Sequence, residues 1–310
     1  MRCFRKISCF LALCSTLFCG SVETYFKKAA NKSPIHSMRG IDFIYLLNLD
    51  ERPEKLALCH EQLYRHAIFP YRFSAVNGWR LSLEAINDVG VVFEPWMDGS
   101  FYGTYYDSLE PQHDPQHRVG KNYFCHCMSR GAIGIVLSHL SILQDAYDAG
   151  FETIWVMEDD ITVIRSPNIL SDMVERLDAL TNREWDILFT DRDTKAQNGT
   201  YVPCLAFAKR PNFTPPDPLI FQLRQEISPE FRRVGARYGA YSMIVRRSGM
   251  KKILDFIKQH KIYLPFDMDF TLPPGILLYT VCDDVVSTLP KALSDNGAEG
   301  YLSRPSVPAQ

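Results

Sequence analysis

A chain of 310 residues with 46% hydrophobic and 23% charged content has room for one large domain or two small ones, and its composition is that of an ordinary globular protein. This excludes a disordered tail, a collagen-like repeat and a multi-span membrane protein. With 34 basic against 36 acidic residues the formal charge is −2, so the chain as a whole carries no nucleic-acid footprint.

Arg2, Arg5 and Lys6 precede an apolar run from Ile7 to Val22. A basic start, a short apolar core and small residues at Gly20 and Ser21 read as a signal peptide or short membrane anchor over residues 1–22. The run is shorter than the roughly 20 residues of a comfortable span. A lipoprotein site at Cys19 and a buried N-terminal helix compete with that reading. The segment implies a secreted or membrane-associated protein and leaves the side of the membrane open. Beyond it remain Cys59, Cys125, Cys127, Cys204 and Cys282, an odd and scattered set that makes no disulfide framework. Two sequons, at Asn198 and Asn212, have meaning only in a eukaryotic secretory host.

From Ile41 short apolar runs alternate with helical patterns, the signature of an α/β domain. Phe43 to Leu49 reads as a strand buried on both faces, and Pro53 opens a helix to about His66. Tyr71 to Val76 is a second strand, stopped by Asn77-Gly78. Residues 94–130, rich in aromatics, His, Gly and Pro, read as an insertion over one sheet edge. Residues 132–149 form the clearest helix, with Ile133, Val136, Leu137, Leu140, Leu143 and Tyr147 along one face. Thr153 to Met157 is a buried strand that ends in three acids. The next helix carries the stripe Ile169, Leu170, Met173, Val174, Leu177 and Leu180. Trp185 to Thr190 and Tyr238 to Val245 are further strands, separated by a Pro- and Arg-rich insertion at 195–235. Ser248 begins a last helix buried through Met250, Ile253, Leu254 and Ile257, and residues 301–310 form a frayed tail.

Glu158-Asp159-Asp160, directly after a buried strand, is the strongest local chemical signal. Ligands of open α/β sheets bind outside the carboxyl ends of strands, and adjacent carboxylates repel unless a cation neutralises them. Glu158 and Asp160 share a side while the chain stays extended, and that pair suits a hard divalent cation. A solvated acidic turn bonding backbone amides is the competing reading. His139 lies at the edge of the apolar stripe of its helix, where a histidine is either a satisfied core residue or a catalyst. Adjacent Ser138 and His139 point to different faces, and with no Gly-x-Ser-x-Gly elbow a serine hydrolase is discarded. Cys125-His126-Cys127, with His113 and His117, lacks the spacing of a zinc knuckle. Asp267 and Asp269, after Pro265, read as loop acids or as a helix cap with a neighbouring surface charge. No phosphate-binding Gly-Lys loop or dinucleotide glycine fingerprint is present.

The order of these motifs resembles glycosyltransferase family 25, which includes bacterial lipooligosaccharide galactosyltransferases and collagen galactosyltransferase domains. The resemblance covers residues 41–295. It is carried by Asn48-Leu-Asp-Glu-Arg-Pro-Glu-Lys-Leu56, Arg72 to Gly78 followed by Leu81-Ser82, Gly131 to Leu140, Trp155-Val-Met-Glu-Asp-Asp160, Gly239 to Val245 and Pro265-Phe-Asp267. Ala132 and Ile135 stand where the family usually has Glu and Cys, and Asn77 where Asp is common.

The resemblance implies a GT-A-like α/β fold with a central mixed, mostly parallel sheet flanked by helices. It also implies transfer of a hexose, most often galactose from UDP-galactose, with inversion, onto a glycan, glycolipid or glycoprotein acceptor. In that frame Asp160 and Glu158 hold Mn²⁺ or Mg²⁺, while Asn48, Asp50, Arg52, Glu158 and Asp159 contact the sugar nucleotide. Asp267 is the first candidate for the general base and Asp269 the second, with Asp191 and Asp193 after another strand also in play. His139 orients its surroundings near the acidic motif, and Trp96, Tyr102, Tyr105 and Tyr106 are candidates for stacking on acceptor sugars. No nucleic-acid partner is expected, and membrane association runs through the N-terminus. A catalytically inactive relative that binds a glycan or partner, motivated by Ala132 and Ile135, is the principal alternative. A metal-dependent phosphohydrolase is the second.

Overall fold

The computed structural model describes residues 21–194 and 198–288 together with Asp295. The expected leader, apart from Ser21 and Val22, and the expected tail lie outside the described residues. Val22 itself is buried against the main core. Among the described residues no helix is long and apolar enough to cross a membrane.

In chain order the elements are β1 (Phe43–Asn48), α1 (Pro53–Tyr64), β2 (Tyr71–Ser74), α2 (Leu83–Val89), β3 (Val91–Val92), β4 (Tyr102–Tyr106), β5 (Pro111–Pro115), β6 (Asn122–Cys125), α3 (Arg130–Asp148), β7 (Thr153–Glu158), β8 (Ile161–Val163), α4 (Ile169–Thr181), β9 (Ile187–Phe189), β10 (Arg224–Glu226), β11 (Phe231–Val234), β12 (Ser242–Arg246), α5 (Arg247–His260), α6 (Phe266–Asp269), β13 (Leu278–Val281) and β14 (Val286–Thr288). The central sheet has the order β10-β11-β13-β9-β12-β7-β1-β2. β2, β1 and β7 run parallel, as do β9 and β13, while β12 and β11 run against their neighbours. Six of the eight strands therefore point the same way, the mixed, mostly parallel α/β sheet expected of a GT-A-like fold.

Alternation along the strands builds two hydrophobic layers. Phe43, Tyr45 and Leu47 of β1 and Ile154 and Val156 of β7 face the layer that also holds α3 and α5. Ile44, Leu46, Trp155 and Met157 face the layer that holds α1 and α4. A strand covered on both faces gains from apolar residues at every position, which is why β1 and β7 read as unbroken runs. α3 begins where Ser129 Oγ accepts the Ala132 amide at 3.1 Å, an N-cap that satisfies an otherwise orphaned donor. Its first turns lie against the chain after β2, where backbones meet: a Cβ on Gly134 would fall 2.5 Å from the Gly78 nitrogen. Leu180, expected in the α4 stripe, is instead 52% exposed at the end of its helix.

Both expected insertions contain strands. Residues 91–125 build a separate four-stranded sheet of order β3-β6-β4-β5, and the β10–β11 hairpin extends the central sheet by pairing with β13. Tyr105 and Tyr106 are 6% and 1% exposed and pack edge-on against Tyr123 and Phe124. They are core residues of this small sheet, not a sugar platform. Trp96 and Tyr102 remain open to solvent.

Candidate active site

β1 and β7 are parallel neighbours, with Leu47 opposite Glu158, so their carboxyl ends deliver Asn48 and the acidic turn to one place. Asn48 is buried and donates from Nδ2 to Asp159 Oδ2 at 2.7 Å and to the Arg52 carbonyl at 2.9 Å. Its Oδ1 accepts from Arg72 Nε at 3.0 Å. These bonds lock the turn after β1 to the turn after β7. A cleft of about 600 Å³, counting its open mouth, lies alongside, lined by Asn48, Lys55, Gly78, Trp79, Ile135, Glu158, Asp159 and Asp160 among others.

The three acids have different surroundings. Glu158 Oε1 lies 2.9 Å from His139 Nε2. Asp159 is held by Asn48 and has Lys55 Nζ at 3.7 Å. Burial pushes its carboxyl up to about 6, against the pull of Lys55 and Asn48. Asp160 has the least compensation: its Oδ1 is sealed from solvent and finds no hydrogen-bond partner among the described residues. Burial, with Glu158 and Asp159 beside it, pushes the Asp160 carboxyl up to about 7. Hard oxygen donors of this kind fit Mg²⁺ or Mn²⁺. Among the described residues no three His, Cys, Asp or Glu side chains form a metal cage.

His139 is 1% exposed and its ring stacks on Phe266 at 4.3 Å. It touches Glu158 and does not line the cleft. Asp50 is bound by Arg72, which holds its carboxyl below the usual range, and by Ser74 at 3.0 Å; it anchors Arg72 rather than offering a free donor. Arg52 Nε lies 3.0 Å from Glu54 and 3.3 Å from Asp295. Ser138 Oγ donates to the Gly134 carbonyl and accepts the Val76 amide at 2.8 Å, a structural engagement that ties α3 to the chain after β2.

The two acids after Pro265 fall in helix α6 rather than in a loop, and they separate. Asp267 accepts the Gly239 amide at 2.9 Å. Burial, with Glu158 nearby, raises its carboxyl, while His139 opposes the shift. Asp269 points the other way into a buried ion pair with Arg210 at 2.5 Å, and Arg210 also donates to the His260 and Lys261 carbonyls at 2.6 Å. Asp269 is thus buried with its carboxylate taken up by Arg210, a structural engagement rather than the open loop position expected of a general base. Asp191 is likewise engaged by Arg237, Tyr241 and Ser287, and Asp193 is buried. Removing one member of a buried pair strands the other charge, at a cost of about 3–5 kcal/mol. Arg210→Met is therefore expected to lose stability of that order in urea unfolding; a loss below about 1 kcal/mol would show that Asp269 finds another partner.

Lys55 and Trp79 were not singled out in the sequence, yet both line the cleft. Lys55 sits near the start of α1, and Nζ reaches Asp295 Oδ2 at 2.7 Å as well as Asp159. Its signal was a lysine two residues past the helix-opening proline that follows a strand end.

A mixed α/β sheet thus gathers carboxylates where parallel strands end, beside a cleft with a lysine at its wall. The chain belongs to glycosyltransferase family 25: the family described as glycosyltransferase family 25 (LPS biosynthesis protein) matches residues 41–270. It is 26% identical over 156 residues to the human protein named inactive glycosyltransferase 25 family member 3, covering 49% of this chain and 22% of that one. To glycosyltransferase 25 family members of Aedes aegypti and Drosophila melanogaster it is 28% and 26% identical, over 49% and 54% of this chain and 21% and 24% of theirs. The chain thus spans under a quarter of the length of these relatives.

Proposed function

We propose that the protein transfers a hexose, galactose from UDP-galactose, with inversion onto a hydroxyl of a glycan, glycolipid or glycoprotein acceptor, using Mn²⁺ or Mg²⁺ at the acidic turn. The observation that carries this reading is the enclosed, partnerless Asp160 oxygen at the end of β7. Asp160 and Glu158 would hold the cation, which when bound neutralises charge on the leaving diphosphate. Asn48 and Arg52 position the turn against the nucleotide, and Lys55 adds a cation beside Asp159 on the same wall. Inversion in one displacement requires a base that takes the acceptor hydroxyl proton as the new bond forms. Asp267 fills that role: it is held by a backbone amide, and burial makes it more basic than an ordinary carboxylate. Residues 1–22 associate the chain with a membrane in this reading.

His139 sits behind Glu158 and orients it. Groups that orient metal-binding side chains are worth about 10- to 100-fold in affinity. His139→Gln is expected to weaken Mn²⁺-supported UDP binding by about 10-fold while slowing turnover only moderately. Complete loss of turnover with intact UDP binding would give His139 a direct catalytic role.

Calorimetric titration of UDP into the full chain, with Mn²⁺ or with EDTA, tests the site. Binding that needs Mn²⁺ is expected. No binding by the folded protein favours the glycan- or partner-binding alternative, and release of inorganic phosphate instead of UDP from a sugar nucleotide favours the phosphohydrolase.

A further inference from the structure

The Cys125-His126-Cys127 turn takes no part in the proposed transfer. β6 ends at Cys125, whose amide donates to the Tyr263 carbonyl at 2.9 Å, and the chain turns at once, with the Met128 amide donating to the Cys125 carbonyl at 3.0 Å. Ser129 then caps α3. This fixed turn brings the two sulfur atoms to 3.0 Å, about 1 Å beyond a bonded pair. Cys125 is 6% exposed, whereas Cys127 is open to solvent.

We propose that Cys125 and Cys127 form a thiol–disulfide exchange site for low-molecular-weight disulfides such as oxidised glutathione, with Cys127 as the attacking thiol and Cys125 as the resolving one. Two sulfurs held in contact with only one reachable from solvent set that division of labour. The hydrogen bond from the Cys125 thiol also lowers the Cys127 thiol to about 7, and a thiolate is the attacking form. The other described cysteines lack this combination. Burial pushes Cys59 up to about 12, Cys204 is buried and donates to the Ala206 carbonyl, and burial raises Cys282.

In the first step the Cys127 thiolate attacks one sulfur of oxidised glutathione. That S–S bond breaks, one glutathione thiolate leaves, and a mixed disulfide forms on Cys127. Cys125 then gives its proton to solvent, and its sulfur attacks Cys127 Sγ and expels the second glutathione thiolate. The protein pair loses two electrons and two protons, and the glutathione disulfide is reduced to two thiols. The site is independent of the transferase reading, since no group in the transfer takes part.

Trypsin cleaves after Lys121 and Arg130, so both cysteines fall on one peptide, residues 122–130, that carries no other cysteine. The full chain, fully reduced, is treated with oxidised glutathione, quenched in acid, digested and weighed. The wild-type peptide is expected to lose two hydrogens and keep no glutathione. Cys125→Ser is expected to stop at one stable glutathione adduct on Cys127. Cys127→Ser is expected to react about 10-fold or more slowly, because only the buried thiol remains. A wild-type peptide that stays reduced or retains glutathione overturns the proposal. So does a Cys127→Ser protein that reacts as fast as wild type.

Discussion

Asp160→Asn is expected to abolish the metal-dependent part of UDP binding and, in the absence of metal, to make the protein more stable near neutral pH. The first effect follows from the loss of the least compensated oxygen donor at the acidic turn, and a loss of about 100-fold or more in Mn²⁺-supported affinity, on the order of 3 kcal/mol, is expected. The second follows from the direction of the titration. A carboxyl held at about 7 in the folded protein, against about 4 when unfolded, keeps its proton longer in the native state. Stability then falls as pH rises between about 4 and 7. Asparagine has the same shape and no charge to strand, so the variant escapes that loss and gains on the order of 1–3 kcal/mol near pH 7.

Thermal melts of metal-free protein across that pH range check this directly. The wild type should soften as pH rises and recover with Mn²⁺, while the variant stays level and ignores the metal. An asparagine protein that melts lower than wild type at neutral pH would mean that the carboxylate bonds the protein itself. The acidic turn would then be structural, and the proposed metal site would go with it.

The parts of this fold that were legible in the sequence are those whose neighbours lie on both sides. β1, β7 and α3 are buried through nearly every apolar position, so periodicity alone located them. Two of the edge strands were hidden for the opposite reason. β5 reads Pro-Gln-His-Asp-Pro and is mostly exposed, and β10 reads Arg-Gln-Glu; each is held by backbone bonds to one neighbour, which leave no hydrophobic pattern. Tyr105 and Tyr106 looked like a sugar platform because the sheet that buries them was itself unreadable.

At the site, the acidic turn was legible because a buried strand aims it. What separates Asp267 from Asp269 was not. Two residues apart on a helix turn, they face about 200° apart, and only the fold shows that Arg210, far away in the Pro- and Arg-rich segment, waits on one side. Lys55 was hidden in the same way, since a lysine on a first helical turn is usually solvated. The departure at Ile135 has a place in space as well: its side chain lines the cleft with Glu158.

Asp267→Asn separates the two halves of the reaction and is expected to cut turnover by about 10³-fold while leaving UDP binding within about twofold of wild type. Asparagine can still accept the Gly239 amide that Asp267 Oδ2 now accepts at 2.9 Å, so the short helix and the stacking of its Phe266 on His139 should persist. What disappears is the ability to take a proton, an effect of about 10²–10⁴ for a positioned base. The pH dependence carries the same information with a definite sign. Only ionised Asp267 accepts the acceptor proton, and burial raises its carboxyl, so wild-type kcat/KM should climb with pH to a midpoint above that of an ordinary aspartate and then level off. In the variant that limb should flatten at a low rate. Turnover within about tenfold of wild type, with the limb intact, would transfer the base role to Glu158, which lies 2.9 Å from His139. In that case one carboxylate could not serve both metal and acceptor, and Asp160 would have to hold the cation with Asp159 instead.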